Sequence, residues 1–319
     1  MQWKKIGKIF DPTQHKLYND CSEFAQSPQT LVFDDFVRIY FSTRKKDEQT
    51  GLYLSYIAYA DFDKEFKVIA LSNHSVIELG ELGTFDEHGI FPIHILKHNN
   101  KISAYTCGWN RRVSVPVETA IGLAYSHDEG KTFQKIGHGP VLGPSIQEPV
   151  LVGDGFVQVY ENKYHMWYIF GTHWIAATQE EPVARVYKIA HAVSDDGVNW
   201  IKEEGRQIIS DVLNAQECQA LPTVTKIGSR YHMYFCFRQA TDFRKNPERG
   251  YRLGYAYSDD LVNWIRDDKN SGIGTTSGSW DADMMCYPHV FQAFGKVYLL
   301  YNGNEFGKYG FGLAELVRN

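Results

Sequence analysis

Apolar and polar residues alternate along short stretches of this chain, and the alternation recurs. Ile121–Ser126, Ile189–Ser194 and Leu253–Ser258 each carry apolar residues at every second position. A Ser/Asp turn follows each one, and then an aromatic residue, Phe133, Trp200 or Trp264, that opens another strand. A degenerate copy runs from Leu54 to Phe66, and Phe311–Leu316 begins a fifth. Upstream of each copy stands a second unit made of a proline, a short strand, a tight turn and a strongly aromatic strand, as in Lys163–Phe170 and Arg230–Phe237. The prolines taken to mark this unit are Pro28, Pro92, Pro149, Pro222 and Pro288, spaced 64, 57, 73 and 66 residues apart.

A repeat near 65 residues that holds four strands is the module of a β-propeller, in which blades arranged about an axis hide sheet edges. The pattern predicts an all-β, five-bladed β-propeller with four-stranded blades as one domain over 1–319, the blades spanning approximately 20–78, 79–142, 143–209, 210–270 and 271–319 plus 1–10. The last copy stops after its third strand. Trp3–Gly7 repeats the outer-strand text of Phe133–Gly137, so the N-terminal strand is expected to close the last blade.

Composition narrows the function. Aromatic residues make up 14% of the chain, which suits pleated strands. A formal net charge of −5 without long like-charge runs argues against a nucleic acid or membrane partner. Five widely spaced cysteines with no C-x-x-C pair, no apolar leader after Lys4 and Lys5, and no long apolar run point to a cytoplasmic protein with reduced thiols. No phosphate-cradling glycine loop, zinc-helix motif or nucleophile elbow occurs, so no cofactor and no metal site is expected. His165 and His232, at equivalent places in repeated strands, read as hydrogen-bonding residues between blades.

Loops that lead into inner propeller strands meet at the mouth of the central funnel, so residues just ahead of each proline are the candidates for chemistry. They are rich in acids: Glu23, Asp86, Glu87, Glu148, Glu217, Asp281 and Asp283. Carboxylates sharing one cleft split their proton affinities, one becoming an acid and another staying a base, which is the division of labour in glycoside hydrolysis. For any single acid, bonding to blade-top backbone amides is an equally ordinary role. Candidate sugar-binding residues are His88, Trp109 and Arg111 in the second repeat, His173 and Trp174 in the third, Arg238 in the fourth, and Asn302 and Glu305 in the fifth.

The five repeats, the S-x-D-G-x-x-W outer turns and the acids ahead of inner strands resemble the five-bladed propeller glycosidases, namely arabinanases and xylosidases, invertases and levansucrases, and mannoside phosphorylases. In the arabinanase group the resemblance implies a base Asp immediately before the first-blade proline, where this chain has Ser27. Glu148-Pro149 resembles a later acid–proline pair that tunes the acid, and Glu217-Cys218 resembles the Glu-Cys pair that holds the general acid of invertase-like enzymes. The resulting expectation is a glycoside hydrolase that acts on an oligosaccharide, a small carbohydrate substrate, by carboxylate acid/base catalysis in the central funnel. Glu217 would be the acid, Asp283 or Asp86 the base or nucleophile, and Glu87 and Glu148 their tuning partners. Three rivals stand beside it. A phosphorylase would need cations, which Arg111, Arg112, Arg238, Arg244 and Lys308 could supply. A sialidase would require six blades. A sugar-binding propeller without catalysis is the third, because fold does not dictate function.

Overall fold

The computed structural model describes residues 1–317. Its twenty strands fall into five antiparallel groups of four. The first strand, β1 (Trp3–Phe10), stands apart in sequence from its group. Blade one is β2 (Glu23–Val32), β3 (Val37–Lys46), β4 (Tyr53–Phe62) and β5 (Val68–Leu71). Blade two is β6 (Gly89–His98), β7 (Lys101–Arg111), β8 (Val117–Ser126) and β9 (Gln134–Lys135). Blade three is β10 (Val152–Tyr160), β11 (Lys163–Ile175), β12 (Ala184–Ser194) and β13 (Ile201–Lys202). Blade four is β14 (Glu217–Ile227), β15 (Arg230–Gln239), β16 (Arg252–Ser258) and β17 (Ile265–Arg266). Blade five is β18 (Cys286–Ala293), β19 (Lys296–Asn302), β20 (Phe311–Leu316) and then β1, which pairs antiparallel with β20 so that Trp3 faces Leu316. The indole of Trp3 also donates to the Tyr234 hydroxyl of blade four at 2.8 Å.

Burial explains the grading of strand length within a blade. Inner strands are covered on both faces: β14 is buried from Glu217 to Thr225. Outermost strands face water and shrink to two residues in blades two to four. Polar links join neighbouring inner strands in sequence. His94 faces the Gln29 amide at 3.0 Å and donates to the Val157 carbonyl at 2.8 Å. The Leu221 amide donates to Asp154 at 3.3 Å, that of Val290 to Thr223 at 3.1 Å, and that of Thr30 to His289 at 3.3 Å, which ties the first blade to the fifth. Blades one and two touch closely enough to share a bridge between Ser55 and Gly89. A Cβ on Gly89 would lie 2.7 Å from the Ser55 backbone, so only glycine permits that approach.

Each inner strand carries a β-bulge in its first half: between Gln26 and Gln29, Ile90 and Ile93, Gly153 and Phe156, Ala220 and Thr223, and Cys286 and His289. A bulge re-aims the side chain at its corner. The corner pairs are Ser27-Pro28, Phe91-Pro92, Asp154-Gly155, Leu221-Pro222 and Tyr287-Pro288, with φ of 54° at Ser27, 53° at Asp154, 49° at Leu221 and 56° at Tyr287. This corrects the sequence reading of blade three. Pro149 precedes β10 altogether, and Gly155 holds the place of the repeated proline. With Gly155 in the series the spacings become 64, 63, 67 and 66. His165 and His232 differ from expectation too. They bond within their own blades, to His191 at 3.0 Å and to the Tyr255 hydroxyl at 2.7 Å, because their strands pair there with β12 and β16.

Candidate active site

The acids ahead of the inner strands do not gather on the axis. Each of four is buried against a cation from the outermost strand of its own blade. Asp86 pairs with Lys135 and Glu148 with Lys202, both at 2.5 Å; Glu217 pairs with Arg266 at 2.5 Å, and Asp281 with Lys5. All four residues are at most 1% exposed. Further donors complete their shells. The Tyr168 hydroxyl and the Gly205 amide bond Glu148 at 2.8 and 3.0 Å, the Val212 and Leu213 amides bond Glu217 at 2.9 Å each, and the Tyr301 hydroxyl bonds Asp281 at 3.2 Å. These are clamps that fasten the loop before the first strand of a blade to its last strand. The cations share one text, an aromatic residue two places before a basic one: Phe133 and Lys135, Trp200 and Lys202, Trp264 and Arg266, Trp3 and Lys5. Blade one has Phe66 and Val68 at these places, with no such pair.

The axial cavity holds about 430 Å³ and takes side chains from all five blades. Four of the five bulge corners, Phe91, Asp154, Leu221 and Tyr287, line it. Phe24, Tyr53, Trp109, Phe243 and Phe306 supply flat apolar surface of the kind sugar rings stack on. Arg44, Arg185, Arg238 and Arg244 supply charge. Among the described residues the one carboxylate in the lining is Asp154. Burial pushes its pKa up to about 7, against the opposing pull of the Leu221 amide and Arg185. At neutral pH this group is divided between acid and base, the condition in which a carboxyl can deliver a proton.

None of the five expected catalytic acids lines this cavity. Asp86, Glu148 and Glu217 are the clamps just described. Glu87 is half-buried and accepts from the Gly83 amide at 3.0 Å, with His88 at 3.9 Å. Asp283 is exposed, and its backbone carbonyl rather than its carboxylate is bonded, by Arg252 at 2.7 Å. The reason is geometric: in blades two to five the bulge aims the residue just before Pro or Gly at the cavity, whereas Asp86, Glu148 and Glu217, five to seven residues ahead of that Pro or Gly, lie against a cation of the outer strand.

Of the expected sugar-binding residues, Trp109 and Arg238 line the cavity. His88 stacks behind Trp109 with centroids 5.8 Å apart, and the Arg111 guanidinium lies 5.4 Å over the same indole. Trp174 sits 6.0 Å beneath Arg185. Asn302 is wholly buried in structural bonds to the Ser27 amide and the Ala25 and Gly310 carbonyls, at 2.8 Å each. His173 and Glu305 are exposed and outside the lining. Sequence reasoning missed Asp154, Arg44, Arg185, Tyr187, Tyr251 and Tyr287. Arg44 had a signal, because it ends the second strand of its blade as Trp109 and Arg238 do, each opposite the beginning of an inner strand.

No family model matches the chain. The uncharacterized protein Rv1502 of Mycobacterium tuberculosis is 31% identical over 317 residues, covering 99% of each chain. A beta-1,2-mannobiose phosphorylase of a Thermoanaerobacter species is 27% identical over 138 residues, 41% of this chain and 43% of the relative. Among solved structures, one described as a glycoside hydrolase superposes with a TM-score of 0.73 at 16% identity, covering 99% of this chain and 93% of the other. A thermostable family-43 glycoside hydrolase gives 0.67 at 13% identity, covering 95% and 93%. At these identities the structural likeness is one of fold. The chain therefore belongs to the family of the mycobacterial protein Rv1502, and its architecture is that of the five-bladed propeller glycoside hydrolases.

Proposed function

We propose that this protein cleaves a glycosidic bond in the axial cavity, with Asp154 as the proton donor. One observation carries the reading: a carboxyl held near pKa 7 is the sole acid in the described lining of a cavity floored by aromatic rings. Asp154 gives its proton to the glycosidic oxygen as the bond to the anomeric carbon breaks. An oxygen nucleophile adds to that carbon, and the leaving sugar departs as an alcohol. The Leu221 amide holds the carboxyl at the bulge corner, and the surrounding wall keeps water from levelling its pKa.

The nucleophile distinguishes two readings. Hydrolysis through a carboxylate pair needs a second acid in the cavity, and the described lining offers none. Phosphorolysis needs only the donor plus a bound phosphate that attacks in place of water, and the arginines favour it. The deciding experiment is turnover of an oligosaccharide panel with and without inorganic phosphate. Release of a sugar 1-phosphate only when phosphate is present supports phosphorolysis, and equal release of reducing sugar in both supports hydrolysis. Unchanged turnover by Asp154→Asn overturns the assignment of the donor.

A further inference from the structure

The axial cavity differs in charge from the rest of the chain. Four arginines reach it against one carboxylate, in a protein whose formal net charge is −5. Outside it, Arg38, Arg112, Arg206, Arg230 and Arg266 meet carboxylates, and Arg111, Arg249 and Arg252 spend their donors on backbone carbonyls. Among the described residues, Arg44, Arg185 and Arg244 have no such partner.

Their settings show guanidinium groups prepared for a planar acceptor. Arg44 lies 4.9 Å over the Phe24 ring and 5.9 Å over Phe91, and its ε nitrogen is buried without a hydrogen-bond partner. Burial pushes its pKa down, the nearby Tyr287 opposes that, and Arg244 adds to it by like-charge repulsion. Arg244 covers Phe243 at 4.5 Å and Phe306 at 5.5 Å. Arg238 plays a different part. It donates to the Gln239 and Ala240 carbonyls at 2.7 and 3.3 Å and to the Tyr187 hydroxyl at 2.8 Å, and it packs 3.6 Å from Phe243. Phe243 is thus pinned between Arg238 and Arg244. Guanidinium groups supported on aromatic faces keep their in-plane N–H donors free, the geometry that grips carboxylate or phosphate oxygens in pairs. A concave wall focuses the field of such charges.

We infer that Arg44 and Arg244, with Arg185 beside Asp154, form an oxyanion subsite that takes a phosphate or carboxylate group of the ligand. The same chemistry serves an anion carried on the sugar and a free phosphate that enters as co-substrate. This inference rests on the reading of the cavity as a glycosidic-bond site, yet binding is measurable without turnover.

The test is calorimetric titration of the full chain, at fixed ionic strength in chloride, with inorganic phosphate, glucose 6-phosphate, glucuronate and neutral glucose. Saturable binding of at least one anion, at least tenfold tighter than glucose, is expected. Arg44→Gln and Arg244→Gln should each weaken it tenfold or more, and Arg230→Gln, at a surface pair with Asp259, should not change it. Binding of inorganic phosphate supports a co-substrate, and binding confined to the sugar-borne anions supports a charged substrate. Absence of saturable anion binding by the wild-type protein overturns the inference whatever the variants do, and equal affinity in wild type, Arg44→Gln and Arg244→Gln does the same. Asp154→Asn should retain anion binding while losing turnover, so a failed subsite and a failed proton donor give different results.

Discussion

Glu217 and Asp154 are both buried carboxyls of inner strands, and they keep opposite company. Glu217 meets Arg266, two backbone amides and the Gln219 amide, a full shell of donors. Asp154 has one long bond from the Leu221 amide and rises to about 7. Both are buried, Glu217 completely and Asp154 to 8% exposure, so burial alone does not separate their roles. The partner decides it: a carboxylate in contact with a cation is part of the frame, and one whose nearby cation makes no ion pair is available for proton transfer.

The contrast breaks most decisively at Asp154. Asp154→Asn should lower kcat by roughly 10² to 10⁴-fold, the usual worth of a positioned proton donor, with secondary structure unchanged by circular dichroism. Next in size, Glu217→Ala should destabilise the fold by about 3–5 kcal/mol in denaturant titration, because it leaves Arg266 buried and unpaired. Replacing both partners together, as Glu217→Met with Arg266→Leu, should cost less than the single change; an equal cost would mean that Glu217 is more than half of a clamp. The pH dependence of stability sharpens the difference further. A carboxyl raised from 3.8 to about 7 in the fold keeps its proton longer than in the unfolded chain. Its burial is then tolerated below pH 4 and costs stability as pH rises towards 7, on the order of a few kcal/mol in total. Asp154→Asn should therefore raise the melting temperature at pH 8 and leave it nearly unchanged at pH 4. The smallest effect belongs to Asp283→Asn, exposed and with no bond to its carboxylate: a change within about 0.5 kcal/mol and no loss of turnover.

Much of this was legible in the text of the chain. The strand–turn repeats yielded the blades because alternation and Ser/Asp turns are local signals, and Trp3–Gly7 betrayed its outer-strand origin by matching Phe133–Gly137. The site was harder. The eye follows proline, and in blade three Pro149 lies near enough to mask Gly155, though the uneven spacings of 57 and 73 marked the slip. Aligning Asp154-Gly155 with the four X-Pro corners would have put an acid on the axis at once. The clamps were half visible, as acids, while the cations of three lie some fifty residues onward in two-residue strands and that of Asp281 lies in β1. Which of two buried acids is ion-paired depends on that distant partner, and no local pattern reports it.

The place of β1 has a consequence for how the molecule comes into being. Trp3 lies in the first described strand to be synthesised and Leu316, which it faces, in the last of them. Until β1 docks, the fifth sheet lacks its outer member, and the edge of β20 is a template for any stray chain nearby. Completion of the fifth blade must wait for β1 and β20 to meet, a long loop to close and a slow one.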